Sequence, residues 1–304
     1  MSNFNNNEYE KLVLDLIGDI FYSATSYRGK VSDLRQYAEI IVRKILDIFP
    51  QKEITLGNKE IQKKLHSLPN YNLIEQAVKT LQTMGNKATH TQYRDEVTDK
   101  DFDEAIECLF DLLAYLLIRY FVKYEFGSNN KVVFAFSILP PIIRYKVLIF
   151  LHSQYPNNSL IVDKLVLATI KAFNAETATN WIEDNKETLL LMRSSPEVFS
   201  SKIELQNQDL INVLNYIMPI NMYQVCKDKV SIMERVVLND GLMYSSFESA
   251  LPYYKMVGII QDDTQEIQEF NDVMDFLYMG RKAREELCST INNYIVLDAI
   301  EKPN

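Results

Sequence analysis

Four polar residues near the start of the chain have types and a spacing that suit acid–base chemistry. Arg35 and Glu39 lie one turn apart on a predicted helix, and Asn86 and His90 follow at the end of a later one. The chain contains only 3 histidines, and His90 is the one placed in a polar loop beside amide and hydroxyl groups. A solvated histidine changes its charge near neutral pH, so His90 is the candidate general acid or base, with Asn86 in support.

Each of these residues also has an ordinary structural interpretation, and the sequence leaves both interpretations open. Arg35 and Glu39 form an i,i+4 pair of opposite charge, which stabilises a helix by about 0.2–0.5 kcal/mol. Alternatively, Glu39 orients His90 across a pair of packed helices. Asn86 directly follows a glycine, a pattern typical of the left-handed residues that end a helix. A loop histidine such as His90 is more often solvated than catalytic.

The elements that must position these residues are predicted to be helices. The chain has 304 residues, of which 47% are hydrophobic, but only 8 Gly and 9 Pro. So few turn formers favour long helices over many short strands. A single hydrophobic core rarely grows past about 250–300 residues, so two domains are expected. The predicted fold is all-α.

Hydrophobic spacing and turn residues place the domain boundary. Thr98 and Asp101 match a capping box that opens a strongly apolar helix reaching Tyr124. Four turn formers at residues 127–130 cannot continue that helix. The predicted domains are therefore a helical bundle at 1–127 and a second helical domain, bundle or solenoid-like, at 131–304. A long terminal helix from Thr264 to near residue 300 is predicted to contact a partner protein, with Arg281, Lys282 and Arg284 on its solvated face.

Composition excludes several classes of function. The formal net charge of −9 disfavours a broad DNA-binding surface. No Gly-rich phosphate loop, CxxC pair or HExxH motif occurs, so no cofactor or metal is predicted. No apolar run reaches the roughly 20 residues that span a bilayer. The 3 cysteines are far apart, and the first ten residues are polar rather than signal-like, so a cytoplasmic location without membrane attachment is predicted.

The order of elements over residues 8–125 resembles the HEPN superfamily. The shared pattern is a helix carrying Arg35 and Glu39, a connector, a helix with Gly-Asn-x-x-x-His ending at His90, and a long apolar helix. This variant of the motif resembles a bacterial branch whose members often accompany restriction, toxin or phage-defence genes. The resemblance implies a HEPN-like helical bundle. The resemblance also implies an activity: active HEPN proteins are metal-independent RNases, and two protomers together form their site.

The resemblance assigns roles to residues of the motif. His90 matches the histidine that transfers a proton at the ribose 2′-hydroxyl or the leaving oxygen, and Asn86 matches the polar position. The motif arginine, which stabilises charge on the phosphate, falls at Gly85. This departure matters because a positioned charge is usually a large catalytic term. A substitute would have to come from a basic residue elsewhere, such as Arg35, Lys87 or Arg94.

The sequence therefore leaves three alternative functions. The first is a non-catalytic HEPN-like subunit of a bacterial defence or toxin–antitoxin assembly, which acts through protein–protein contacts. The missing arginine and the acidic charge favour it. The second is a metal-independent endoribonuclease or toxin that uses His90. The third is a nucleotide-sensing module. The expected partners are a second copy of the chain, through the HEPN-like domain, or another protein, with RNA as an alternative ligand.

Overall fold

The computed structural model describes residues 3–50, 52–193, 221–242 and 244–284. Within these ranges the regular structure is helical and no strand occurs, which confirms the all-α prediction. Two π-helical turns, Gly18–Tyr22 and Tyr254–Gly258, and a 3₁₀ turn, Tyr71–Leu73, accompany the α-helices. The α-helices are α1 (Asn6–Ile17), α2 (Tyr27–Ile45), α3 (Lys59–His66), α4 (Glu75–Thr89), α5 (Asp99–Lys123), α6 (Asn130–Phe136), α7 (Pro141–Gln154), α8 (Ser159–Ala172), α9 (Ala175–Asp184), α10 (Lys186–Leu191), α11 (Met222–Asp240), α12 (Phe247–Tyr253) and α13 (Gln265–Tyr278).

Helix α5 forms the centre of the first compact unit. Its buried residues extend around most of its circumference, and it packs against α2, α4 and α13. The predicted capping box opens it: the Asp101 carboxylate accepts from the Thr98 backbone N–H at 2.8 Å, and Thr98 Oγ1 accepts from the Asp101 N–H at 3.3 Å. Local capping therefore fixes where this helix begins, and its all-round apolar pattern is that of a helix buried by its neighbours.

The first unit is built from two separate stretches of chain, the described residues up to 123 and those from 247 to 284. This grouping places α12 and α13 with the first helices, whereas the predicted division into 1–127 and 131–304 places them in the second domain. The reason is aromatic packing: Phe276 lies 5.8 Å from the Phe4 ring and 6.4 Å from that of Tyr37, and Phe270 lies 5.2 Å from Tyr120. Burying such rings removes large apolar areas from water.

A buried ion pair also ties the late stretch to the first unit. Arg281 Nη1 donates to Glu248 Oε1 at 3.1 Å, and the two side chains are 2% and 4% exposed. The same carboxylate oxygen accepts from the Tyr22 hydroxyl at 2.8 Å. The Arg281 guanidinium lies 4.3 Å from the Phe21 ring and 4.6 Å from the Phe247 ring. The prediction of a solvated basic face is thus wrong for Arg281, which is a core residue.

The predicted long terminal helix begins close to the expected residue but ends early. Helix α13 stops at Tyr278 because Met279 leaves the helical conformation and Gly280 adopts a φ of +74°. This conformation carries little cost for glycine alone. Gly280 also lies close to the N-terminal helix, since an added Cβ would be 3.1 Å from Leu14 Cα. The remainder of the predicted helix, from residue 285, lies outside the described residues.

The second unit comprises the described residues between 124 and 246. Helix α8 packs against α7, α9 and α11, and α11 also packs against α9 and α10. One core joins α8, α9, α10 and α11, and its fully buried members include Val162, Val166 and Ala178. Residues 132–136, which the sequence leaves open between strand and helix, belong to α6. In the ranges that the structure covers, no helix has the length and apolar character needed to cross a bilayer.

Candidate functional site

The candidate site lies where the last turns of α4 meet α2. Helix α4 continues to Thr89, and His90 is its C-terminal cap with extended backbone angles. Gly85 and Asn86 therefore lie inside the helix, and the prediction that they terminate it is wrong. Neither residue has a positive φ, so Gly85 is required for a reason other than backbone conformation.

That reason is the close approach of Arg35 from α2. A Cβ added at Gly85 would lie 2.3 Å from Arg35 Cδ and 2.7 Å from Arg35 Cβ. Both distances are far below van der Waals contact, so no side chain fits at position 85 while Arg35 keeps its place. The alkyl stem of Arg35 thus occupies the space next to α4 at the position where the HEPN pattern has its own arginine.

The Arg35 guanidinium binds side chains of both helices. Its Nη1 donates to Asn86 Oδ1 at 2.7 Å and reaches Thr89 Oγ1 at 3.4 Å. Its Nε lies 3.4 Å from Glu39 Oε1, and the same oxygen accepts from the Leu56 N–H at 3.3 Å. The Arg35 and Glu39 side chains are only 16% and 20% exposed. The structure therefore brings together three of the four predicted residues, Arg35, Glu39 and Asn86.

His90 lies beside this cluster rather than within it. Its backbone N–H donates to the Asn86 carbonyl at 3.0 Å, and its side chain is exposed. Over the described ranges, no hydrogen bond reaches the imidazole, and Glu39 is engaged by Arg35 and Leu56 instead of orienting His90. Arg35 and Glu39 form the i,i+4 contact expected of a helix-stabilising pair, and Asn86 is a third partner of the guanidinium.

Sequence reasoning missed Arg28, which fixes the loop that carries His90. Its guanidinium donates to four backbone carbonyls, at 2.7 Å to Lys87, 3.3 Å to Ala88, 3.3 Å to Tyr93 and 2.6 Å to Asp95. The C-terminal carbonyls of a helix lack partners within the helix, so a cation there supplies both donors and favourable charge. The partners are distant backbone groups, so no side-chain pattern signals this role.

Replacing Arg28 by alanine is expected to loosen this loop and lower the free energy of unfolding by about 1–2 kcal/mol. The change leaves the carbonyls of Lys87 and Asp95 to water. Hydrogen exchange read by mass spectrometry should then accelerate in residues 87–95. The variant Arg28→Lys keeps the charge but cannot bridge four carbonyls, so intermediate protection is expected. Unchanged exchange in Arg28→Ala would contradict this role.

Two nitrogens of the Arg35 guanidinium are bound by side chains of the two helices. The Glu39 carboxylate neighbours Nε, and the Asn86 amide oxygen accepts the shortest hydrogen bond, from Nη1. Among the described residues, His, Cys, Asp and Glu side chains form no group of three that could hold a metal ion. No family model, no curated protein and no solved structure matches this chain.

Proposed function

We propose that this chain is a non-catalytic HEPN-like subunit of a bacterial defence or toxin–antitoxin assembly that acts through protein–protein contacts. The observation that carries the proposal is the engagement of Arg35 by Glu39 and Asn86, with its stem packed over Gly85. The motif position itself has no side chain, and the arginine that fills the adjacent space serves to join α2 to α4.

The energetic requirements of RNA cleavage also support a non-catalytic role. Phosphate cleavage benefits from donors that already point at the developing charge. Arg35 would have to leave Asn86 and Glu39 before binding a phosphate, and both of its partners are polar groups that would lose a hydrogen bond. A catalytic histidine also works best when a second group orients it, whereas the His90 imidazole is exposed.

A metal-independent endoribonuclease is the second candidate, and one observation favours it. His90 is exposed at the end of α4, directly after the turn that holds Asn86 and Arg35. A second copy of the chain placed against this end would bring two histidines and two arginines together. In that case the homodimer would be the active form, and Arg35 would replace the arginine missing at Gly85.

A nucleotide-sensing role has less support in this domain. The cavity beside the His90 loop measures about 60 Å³, and its lining includes Asp95, Glu96 and Asp101 against Lys87. Carboxylates in this number repel a phosphate group. The volume is also far below the roughly 300–1,000 Å³ of typical small-molecule sites.

The deciding experiment is single-turnover cleavage of a mixed RNA pool by the purified full-length chain in EDTA. We expect no cleavage by the wild type, and none by His90→Ala or Arg35→Ala. The matched control is His66→Ala, because His66 is an exposed histidine on α3. Cleavage by the wild type and by His66→Ala, but not by His90→Ala, would establish the RNase and refute the non-catalytic proposal. Protein concentrations well above the range of a weak dimer keep a composite site from being missed.

Expression in a bacterial host gives a second, independent readout. A non-catalytic subunit should leave growth unchanged for the wild type and His90→Ala alike. Growth arrest by the wild type that His90→Ala relieves would again favour the RNase.

A further inference from the structure

The second unit contains a cavity of about 170 Å³ whose polar lining is mostly cationic. Arg144 from α7 and Lys164 and Lys171 from α8 line it, together with Tyr244. Arg144 is only 4% exposed, and its guanidinium lies 5.9 Å from the Tyr244 ring centroid. The Tyr244 hydroxyl donates to the Ser137 carbonyl, which fixes that wall of the cavity. Three positive side chains thus line one cavity of a protein whose formal net charge is −9.

One buried carboxylate, that of Asp163, interacts with two neighbouring lysines. Asp163 is 1% exposed and forms an ion pair with Lys229 of α11. Its second oxygen lies 3.7 Å from Lys164 Nζ. Asp163 therefore offsets the charges of Lys229 and Lys164, and among the described side chains of this cluster the positive charges outnumber the negative ones.

Lys171 is a lining residue on which neighbouring positive charges act. The pKa of its amine is lowered to about 8, chiefly by burial, and the positive charges of Arg144 and Lys229 contribute in the same direction. Burial also lowers the pKa of Lys164, while Asp163 acts to raise it. The described charges that act on Lys171 are both repulsive. A cluster of like charges with perturbed pKa values inside a cavity is typical of a binding site.

We propose that this cavity binds a phosphate group, either as a free anion or as the terminal phosphate of a nucleotide. A planar guanidinium and two ammonium groups supply the charge-assisted donors that phosphate oxygens prefer. By volume, about 10–15 Å³ holds one water, so 170 Å³ holds an anion of several atoms. The site lies in a different unit from the α2–α4 cluster and does not depend on the proposed function.

Binding should depend on pH through Lys171. The bound anion favours the charged amine, so affinity should be greatest below pH 8 and should fall as the pH rises above it. Near pH 8 the free protein carries Lys171 only partly protonated, so binding should take up protons. Arg144 and Lys164 line the same cavity, Lys229 and Asp163 act electrostatically on its lysines, and Arg144 stays charged throughout.

The test is isothermal titration of the full chain with inorganic phosphate, pyrophosphate and ATP at constant ionic strength set with NaCl. Lys171→Met removes the charge and keeps the length of the side chain, and should weaken binding of the tightest probe about tenfold or more. Lys227→Met is the matched control. Lys227 is a lysine of the same unit that is 43% exposed and pairs with Glu183. Its removal should leave the affinity unchanged.

The outcomes are distinguishable. Lys171→Met should melt at a higher temperature than the wild type without ligand, because a buried charge has been removed, so weaker binding would not reflect misfolding. Tighter binding of ATP than of phosphate would identify a nucleotide, and the reverse a free anion. No heat from any probe beyond the NaCl control would overturn the proposal. Equal affinities of Lys171→Met and the wild type would do the same.

Discussion

Replacing Arg281 by methionine is expected to lower the free energy of unfolding of the first unit by about 3–5 kcal/mol. The substitution keeps most of the volume between Phe21 and Phe247 but leaves the Glu248 carboxylate buried without its 3.1 Å partner. Removing one partner of a buried ion pair costs several kcal/mol, far more than a surface ion pair contributes. The Tyr22 hydroxyl still donates to Glu248, but it supplies no charge.

The measurement is urea unfolding followed by far-UV circular dichroism and by tryptophan fluorescence. The single tryptophan, Trp181, lies on α9 in the second unit, so its transition serves as an internal control and should move less. Lys282→Met, at the exposed neighbouring position, should change stability by less than about 1 kcal/mol. Adding Glu248→Gln to Arg281→Met should recover part of the lost stability. The substitution removes the buried negative charge and keeps an acceptor for the Tyr22 hydroxyl. A loss below about 1 kcal/mol in Arg281→Met would show that the pair is not a core interaction.

Gly85→Ala is expected to lower the free energy of unfolding by about 2–3 kcal/mol, opposite in sign to the usual effect. In a helix interior, alanine is normally more favourable than glycine by about 1 kcal/mol. Here the new methyl group would lie 2.3 Å from Arg35 Cδ. Arg35 would have to move, and its hydrogen bonds to Asn86 and Glu39 would break. Overpacking of this kind typically costs about 1–3 kcal/mol.

The control for this prediction is Gly18→Ala. Gly18 has helical backbone angles, and a Cβ added there meets no atom within 4 Å. The stability of the Gly18→Ala variant should therefore rise or stay unchanged. The double variant Arg35→Ala/Gly85→Ala removes the clash. The double variant should therefore lose less stability than the two single variants lose together. Additive effects would mean that Arg35 does not pack over Gly85.

Local signals explain the parts of the fold that the sequence predicts well. The α5 capping box and the Pro141 start of α7 depend on residues within one or two turns, so their spacing alone identifies them. The Arg35–Glu39 pair is also local, at i,i+4. The pattern therefore places α5 within about two residues of its observed bounds.

Long-range contacts explain what the sequence does not predict. Gly85-Asn86 matches a helix terminator, and only the position of Arg35 on another helix shows why the glycine lies inside α4. Arg281 stands beside Lys282 and Arg284 and therefore has the pattern of a surface cluster, but its ion-pair partner is 33 residues away. Arg28 binds backbone carbonyls, which are the same for every residue type. The proposed function likewise rests on the groups that the Arg35 guanidinium binds, which the motif does not show.

The discontinuous first unit has a consequence for how the chain is made. Its early helices α1, α2 and α5 leave the ribosome long before α12 and α13, whose aromatic residues complete their core. At about 5–20 residues per second, the roughly 120 intervening residues take about 6–24 seconds to synthesise. During this interval the surfaces around Phe4, Tyr37 and Tyr120 face water, while the second unit emerges in one continuous stretch. Nascent chains of this protein should therefore need chaperone protection until translation reaches Phe276.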